Sequence, residues 1–300
     1  MSALRLATRR SPLALIQANV VRERLAALGV ESRLVEVDTH GDRDPDTSLA
    51  DIGGQGLFAV EVQLAVLAGE ADVAVHSAKD LPATTLDGLD LCAVPERRDA
   101  ADALVGRSLA GLGPGATVAT GSPRRRALLL ERRPDLNVVG LRGNMGRRLD
   151  VAGRDGVDAV VVAVAALERL GETARVAERL DPEWFVPQVA QGALALEARA
   201  GDSATLDTLR HLDDEVAHRC VVAERAFLRE LGAGCSIPAG AHAVAAGSGV
   251  TLRAVMLAVD GSTSARGVES GTDPEDVGRS LARSLRDAGG GGQLAGWGGA

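Results

Sequence analysis

Short apolar runs alternate with amphipathic stretches from the start of the chain. LRLA at 4–7 reads as a strand. Ser11-Pro12 then opens an apolar-periodic helix to about Leu28, with Ser at the N-cap and Pro at the first helical position. A strand at 33–38, the loop DIGGQG, a helix at about 57–68 and a strand at 72–76 follow. Near Thr117 the plan starts again. TVATGSPRRRALLLERRP repeats LRLATRRSPLALIQANV in its order of apolar strand, Thr, small polar turn, Ser-Pro and helix. Strand 137–141, the turn RGN, a helix to about 153, strand 158–163 and helix 164–170 complete the second unit. This alternation predicts two α/β lobes with equivalent strand-to-helix turns meeting across a cleft, joined by the linker ERRDAAD at 96–102.

After about residue 211 the pattern changes. EVAHRCVVAERAFLREL predicts a helix, GAGCSIPAG a tight loop, and 240–269 a three-stranded meander turning at Asp260-Gly261. DPEDVGRSLARSLRDAG supplies a capped helix, so this part reads as a small α+β domain. The glycine-rich end, GGGGQLAGWGGA, is expected to be disordered.

Composition narrows the functional classes. With 46% hydrophobic and 25% charged residues, the 300-residue chain is globular and long enough to bury substantial cores. No apolar run reaches the length a bilayer needs, and the N-terminus lacks the layout of a secretory signal, so a cytoplasmic location is expected. A net charge of -8 argues against general nucleic-acid binding. Yet ATRRSP, SPRRRA, ERRP and RGNMGRR gather arginine in the first half, the arrangement of a basic cleft for an anionic small molecule. Lys79 is the sole lysine among 33 basic residues; a substitution bias accounts for the rarity, while its position favours a compact, mobile charge.

The candidate chemistry sits at the predicted strand ends. Lys79-Asp80 follows strand 72–76 and reads either as a surface ion pair or as a working pair. In the second reading Lys79 holds a substrate carboxylate, and Asp80 serves as acid/base or as counter-ion to a developing cation. Arg9 and Arg10 stand before one helix start; Ser122, Arg124 and Arg125 stand at another. Consecutive arginines point to different helix faces, so they do not all serve one anion, although two can bracket a ligand with several carboxylates. Arg142 and Arg148 flank Gly143-Asn144 at the next turn. DIGGQGLF lacks the Walker spacing and the dinucleotide fingerprint. The five histidines are scattered, with no HExxH and no EF-hand loop, so no metal is expected. Cys92 and Cys220 lie in periodic runs and read as buried thiols. Cys235 is displayed in GAGCSIP, as an attachment point or nucleophile would be.

Taken in order, LRLATRRSPLAL, THGD, GGQGLF, ADVAVHSAKDLP, ATGSPRRR, LRGNMGRRL, VAQGALALE and GAGCSIPAG resemble the porphobilinogen deaminase family over nearly the whole chain. The resemblance implies two lobes like type II periplasmic-binding domains and a C-terminal α+β domain with a three-stranded antiparallel sheet. The implied boundaries are 1–95 with 193–211, 99–187, and 216–288, with a tail at 289–300. It implies a dipyrromethane cofactor joined by a thioether to Cys235. It also implies joining of four porphobilinogen molecules head to tail, with loss of ammonia and release of hydroxymethylbilane, in a monomer. Asp80 matches the catalytic aspartate; Lys79, Asp42, Ser122, Arg124 and Arg125 match cofactor-binding groups. Arg9, Ser11, Arg142, Arg148 and Arg169 match substrate and growing-chain contacts, and Gln191 falls at the crossing back to the first domain. The sequence departs from the family at Gln55, usually lysine, and at Gly121, usually serine. The rival reading is a two-lobed solute-binding protein, which needs no thiol like Cys235.

Overall fold

The computed structural model describes residues 3–39, 57–154, 156–232, 237–288 and 291–294. Two compact units account for the chain, one of residues 1–98 with 193–218, the other of 99–192 with 219–300.

The first unit is built on a five-stranded sheet of order β2-β1-β3-β10-β4. Its strands are β1 (Leu4–Arg9), β2 (Ser32–Val37), β3 (Val73–Ser77), β4 (Leu89–Ala93) and β10 (Leu194–Arg199). β1 runs parallel to β2 and β3, whereas β10 runs antiparallel to β3 and β4. Helices α1 (Pro12–Ala27) and α2 (Leu57–Leu67) cover opposite faces. Leu6, Val73 and Val75 pack with Ala18, Val21 and Leu25 of α1, while Ala7 and Ala74 pack with Val62 and Val66 of α2. Being covered on both sides makes β3 a nearly continuous apolar run, as buried parallel strands are.

The second unit repeats this plan with order β7-β6-β8-β5-β9. The strands are β5 (Asp102–Gly106), β6 (Thr117–Ala119), β7 (Asn137–Val139), β8 (Ala159–Ala163) and β9 (Val176–Arg179). β6 is parallel to β7 and β8, and β5 is antiparallel to β8 and β9. Strand for strand this is the arrangement of the first unit, so the repeat read from the sequence is a structural one. In both, the antiparallel fourth strand lies just past a chain crossing, at 98/99 for β5 and 192/193 for β10. These are the two type II lobes.

The stretch read as a linker, 96–102, is partly strand. Asp102 opens β5 and is fully buried, because its charge is neutralised by partners remote in sequence. Helix α3 (Pro123–Arg132) follows β6, α4 (Met145–Asp150) follows β7 and α5 (Val164–Leu170) follows β8. In the first unit α6 (Ser203–Arg210) follows β10. The C-terminal region contains α7 (Glu215–Glu230), the antiparallel meander β11 (Ala239–Ala246), β12 (Gly249–Leu257) and β13 (Ser264–Gly271), and α8 (Pro274–Arg283). Asp273 caps α8, its side chain accepting from Asp276 N. Val255 and Leu257 share one core with Leu128, Leu129, Phe185 and Val186 of the second lobe. Within the glycine-rich end, Gly291–Gln293 form a 3-10 turn; Gly291 is buried so closely against Met256 that an added Cβ would lie 2.7 Å from its Sδ. Residues 295–300 lie outside the described residues.

One ion pair fastens the edge of the first sheet away from the candidate site. Arg5 donates through its backbone N and Nε to Asp72 Oδ2 at 2.9 and 3.0 Å and through Nη2 to Oδ1 at 2.8 Å, and Arg199 adds a contact at 3.3 Å. The hydrogen bond from Arg5 is the main reason the Asp72 carboxyl is pushed down to about 2. A carboxyl depressed on folding stabilises the protein above its unfolded pKa, about 3.9, and that contribution is lost as pH falls through the folded value. Asp72→Asn is therefore expected to cost about 1 kcal/mol at pH 7, after allowance for screening around the partly exposed pair. Urea unfolding should show that difference shrinking toward pH 2.

Candidate functional site

Parallel pairing brings the sequence-selected residues to common sheet edges. In the first unit Leu6 pairs with Val73 and Ala7 with Ala74, so β1 and β3 end side by side. Arg9 and Ser11 follow β1; Lys79 and Asp80 follow β3. Ser11 caps α1 as expected, its Oγ accepting from Ala14 N at 3.3 Å. Ala78–Asp80 form a 3-10 turn. Ala78 N donates to Ala193 O at 3.0 Å, Leu81 N donates to Ala78 O at 3.3 Å, and both Ala78 and Leu81 are buried. The turn is thereby pinned at both ends, while Lys79 and Asp80 remain half-buried at its surface.

In the second unit β7, β6 and β8 are parallel neighbours, so the turns after them are also adjacent. Ser122 caps α3, accepting from Arg125 N at 3.4 Å, and Thr120 Oγ accepts from Ser122 N at 3.2 Å. Arg124 and Arg125 are buried, and both turn onto Asp102. Arg124 Nη2 meets Asp102 Oδ2 at 2.7 Å; Arg125 meets Oδ1 through Nη2 at 2.6 Å and Nε at 3.0 Å. Arg125 also donates to Val161 O at 3.0 Å and Arg124 to Val186 O at 2.6 Å. Gln191 closes the cluster, donating to Ala100 O at 2.7 Å and Asp102 Oδ1 at 2.9 Å while accepting from Arg125 at 3.3 Å. Arg126 leaves on another face, donating to Val138 O.

Burial alone would raise the Asp102 carboxyl, but the two guanidiniums and Gln191 hold it well below the usual carboxylate range. Burial pulls the Arg124 guanidinium down, with Asp102 opposing that shift. Two buried cations share one anion, leaving a surplus positive charge at the start of α3, where the helix N-terminus adds to it. Arg124 Nε is buried with no hydrogen-bond partner among the described residues. An orphan donor and a surplus cation fit a group that carries carboxylates, which is the donor set a dipyrromethane requires.

The remaining arginines are arranged differently. Arg142 is exposed on the turn before α4. Arg148 Nε folds back to donate to Gly143 O at 2.8 Å, and Gly143 has φ 96°, which glycine adopts readily. Arg169 reaches Gly192 O at 2.8 Å, beside the second crossing. Asp42, Gln55 and Cys235 lie outside the described residues. At Gly121 an added Cβ would lie 2.5 Å from Leu141 O, so the usual serine does not fit this turn without a backbone shift.

Several residues carry structure at these edges that sequence reading left without a role. Asp102 is one. Glu224 is another: fully buried on α7, it accepts from Ala190 N at 2.5 Å and from Ala243 N at 2.7 Å. Ala190 has φ 58°, a left-handed conformation unusual for a residue with a Cβ, which that bond helps to hold. His76 and Glu197 are also buried, 3.1 Å apart. Their signal in the sequence was a charge inside an apolar run: DALVG, VVAERAF, LALEAR. Cys92 is half-buried and its thiol is pushed up to about 12, chiefly by burial, so it stays protonated. Among the described residues, no group of three His, Cys, Asp or Glu side chains is placed to hold a metal.

Two family models match the chain: the porphobilinogen deaminase dipyrromethane cofactor-binding domain over residues 4–207, and the porphobilinogen deaminase C-terminal domain over 218–287. The porphobilinogen deaminase of Roseiflexus castenholzii is 43% identical over 302 residues, covering 98% of this chain and 99% of its own. That of Rubrobacter xylanophilus is 46% identical over 293 residues, covering 96% and 95%. Among solved structures, a double mutant of the Bordetella pertussis BvgS VFT2 domain aligns with 70% of this chain and 86% of its own. Its identity is 20% and its TM-score 0.42, a likeness too remote to bear on activity. With both halves matched in order and the arginine-lined strand ends in place, the chain belongs to the porphobilinogen deaminase family.

Proposed function

We propose that Asp80 is the carboxylate that works on porphobilinogen in this chain, and that Cys235 carries a dipyrromethane through a thioether. The activity is that of the family: porphobilinogen molecules are condensed head to tail with loss of ammonia, and hydroxymethylbilane is released by hydrolysis for tetrapyrrole synthesis. The observation that supports the assignment of Asp80 is the pinned Ala78–Asp80 turn, which holds this half-buried residue at the end of β3, the parallel neighbour of the strand that ends at Arg9.

As the substrate's amine leaves, positive charge develops over its pyrrole ring and exocyclic methylene. A fixed carboxylate at the ring N–H stabilises that charge without having to reorganise, and more strongly than in bulk water. Arg9, Ser11, Arg142, Arg148 and Arg169 hold the acetate and propionate groups of the substrate and growing chain, orienting each ring for attack. When bound, the dipyrromethane supplies the pyrrole position to which the first unit is joined. Lys79, Asp42, Ser122, Arg124 and Arg125 are the residues that would hold it. Arg124 and Arg125 do so from burial, as a cluster of net positive charge at a helix start rather than as extended arms.

The protein works on this small molecule in the cytoplasm, as a monomer without nucleic-acid partners; its net charge of -8 supports the last point. No helix among the described residues is long and apolar enough to cross a membrane. Intact mass tests the covalent attachment. Freshly purified active protein should exceed its sequence mass by a two-ring pyrrole adduct, and Cys235→Ser should lack it. An unmodified mass in active protein would remove Cys235 from this role.

A further inference from the structure

We propose that Glu197, with His76 and Gln63, is a positioning residue that fixes the turn carrying Asp80. The inference rests on Asp80 being the reacting carboxylate.

Alternation along β3 sends Val73 and Val75 into the core under α1, and Ala74 and His76 to the face under α2. That second face is apolar, formed by Ala7, Val62, Val66, Ala71 and Ala74. His76 enters it only 6% exposed, and Glu197 fully buried. Register explains how they meet: Glu197 of β10 pairs with Ala74, and Ala195 with His76, so the two polar side chains are diagonal neighbours on one face. His76 Nε2 lies 3.1 Å from Glu197 Oε2, and Gln63 Nε2 of α2 donates to the same oxygen at 2.8 Å. One carboxylate oxygen of β10 therefore accepts a hydrogen bond from the helix above it and lies in close polar contact with the imidazole of the neighbouring strand, which donates no hydrogen bond to it.

Apolar side chains would pack this layer at less desolvation cost. What they would not supply is a polar contact joining helix, strand and neighbouring strand, and that contact stands at a telling place. His76 is the last inward side chain of β3 before the Ala78–Asp80 turn. Backbone bonding holds that strand end from one side: Ser77 pairs with Leu194, and Ala78 N donates to Ala193 O. Glu197 meets it from the helix face through the His76 contact. The reach of Asp80 is the reach of this turn, and a displacement on the order of 1 Å at a reacting group can lower a rate by about 10²-fold.

Glu197→Gln keeps the shape and removes the charge. Turnover per cofactor-loaded site, with loading read from intact mass, is to be measured in wild-type and Asp80→Asn backgrounds. In wild type kcat should fall roughly 10-fold with KM nearly unchanged. In Asp80→Asn the same change should lower kcat by less than about 2-fold, because a group that acts through Asp80 has little left to lose. Equal losses in the two backgrounds, or a lowered Tm with kcat per loaded site unchanged, would show a merely structural link and overturn the proposal. If Glu197→Gln fails to fold, Gln63→Leu, which leaves the His76–Glu197 pair, should give the same pattern at smaller amplitude. Asp80→Asn alone separates the two ideas. Near-normal turnover in that variant removes Asp80 and this inference together, while collapse there with independent losses removes the inference alone.

Discussion

Asp80→Asn is expected to lower turnover by about 10²–10³-fold, roughly 3–4 kcal/mol of transition-state stabilisation, while the folded chain keeps its cofactor mass. Asparagine has the size of aspartate and can still accept a hydrogen bond, so the Ala78–Asp80 turn, held by backbone bonds and by buried Ala78 and Leu81, should persist. What disappears is the negative charge opposite a developing cation. Because the groups assigned to substrate carboxylates are elsewhere, KM should change much less than kcat, the signature of an interaction made in the transition state. Steady-state rates of porphobilinogen consumption check this, with single-turnover measurement to isolate the chemical step. Turnover within a few-fold of wild type would exclude the role given to Asp80.

The second large effect is on stability. Asp102→Asn should destabilise the second unit by about 3–5 kcal/mol, because it leaves two buried guanidiniums without the charge that neutralises them. The pH dependence has a definite sign. Asp102 is depressed on folding, so its contribution is present above the unfolded carboxylate range and is lost on acidification below it. The gap between wild type and Asp102→Asn should therefore be wide at neutral pH and narrow in acid. Trp184 gives a local probe: its ring packs edge-on to Phe185, 5.1 Å between centroids, under the Arg132 guanidinium at 4.5 Å. Urea unfolding followed by Trp fluorescence measures the effect. Asp102→Asn combined with Arg125→Met should cost less than the sum of the single changes, since one of the stranded charges is gone. A cost below about 1 kcal/mol for the single change would mean the arginines are neutralised by other groups.

Much of the local architecture was legible because its causes are local. The sequence marks Ser11 as an N-cap before proline and repeats Ser-Pro at Ser122, a second helix start, and each hydroxyl accepts from the backbone N–H three residues on. The repeated strand, Thr, turn, Ser-Pro order marked two lobes, and their sheets have matching strand orders. Placing Asp80 at a strand end needed only the apolar run of β3 and the polar residues after it. By contrast, the local sequence places Asp102 in a linker. Nothing near it in sequence shows that Arg124 and Arg125, 22 and 23 residues on, and Gln191, 89 residues on, will close around it. Arg124 and Arg125 illustrate the converse: their place at a helix start suggests a pair bracketing a ligand with several carboxylates, and tertiary packing turns both onto Asp102 as a buried cluster.

The sequence by itself determined the elements, their caps, the internal repeat, the family and the strand ends at which charged residues collect, since these follow from periodicity, capping chemistry and motif order along the chain. Tertiary structure alone decided where buried charges find partners and where a surplus remains: Asp102 against two arginines, Glu197 under the Gln63 amide, Glu224 on two backbone amides. The physical reason is desolvation. A buried charge persists only where its partners arrive, and those partners come from segments far apart in the chain that only the folded sheets bring within hydrogen-bonding distance.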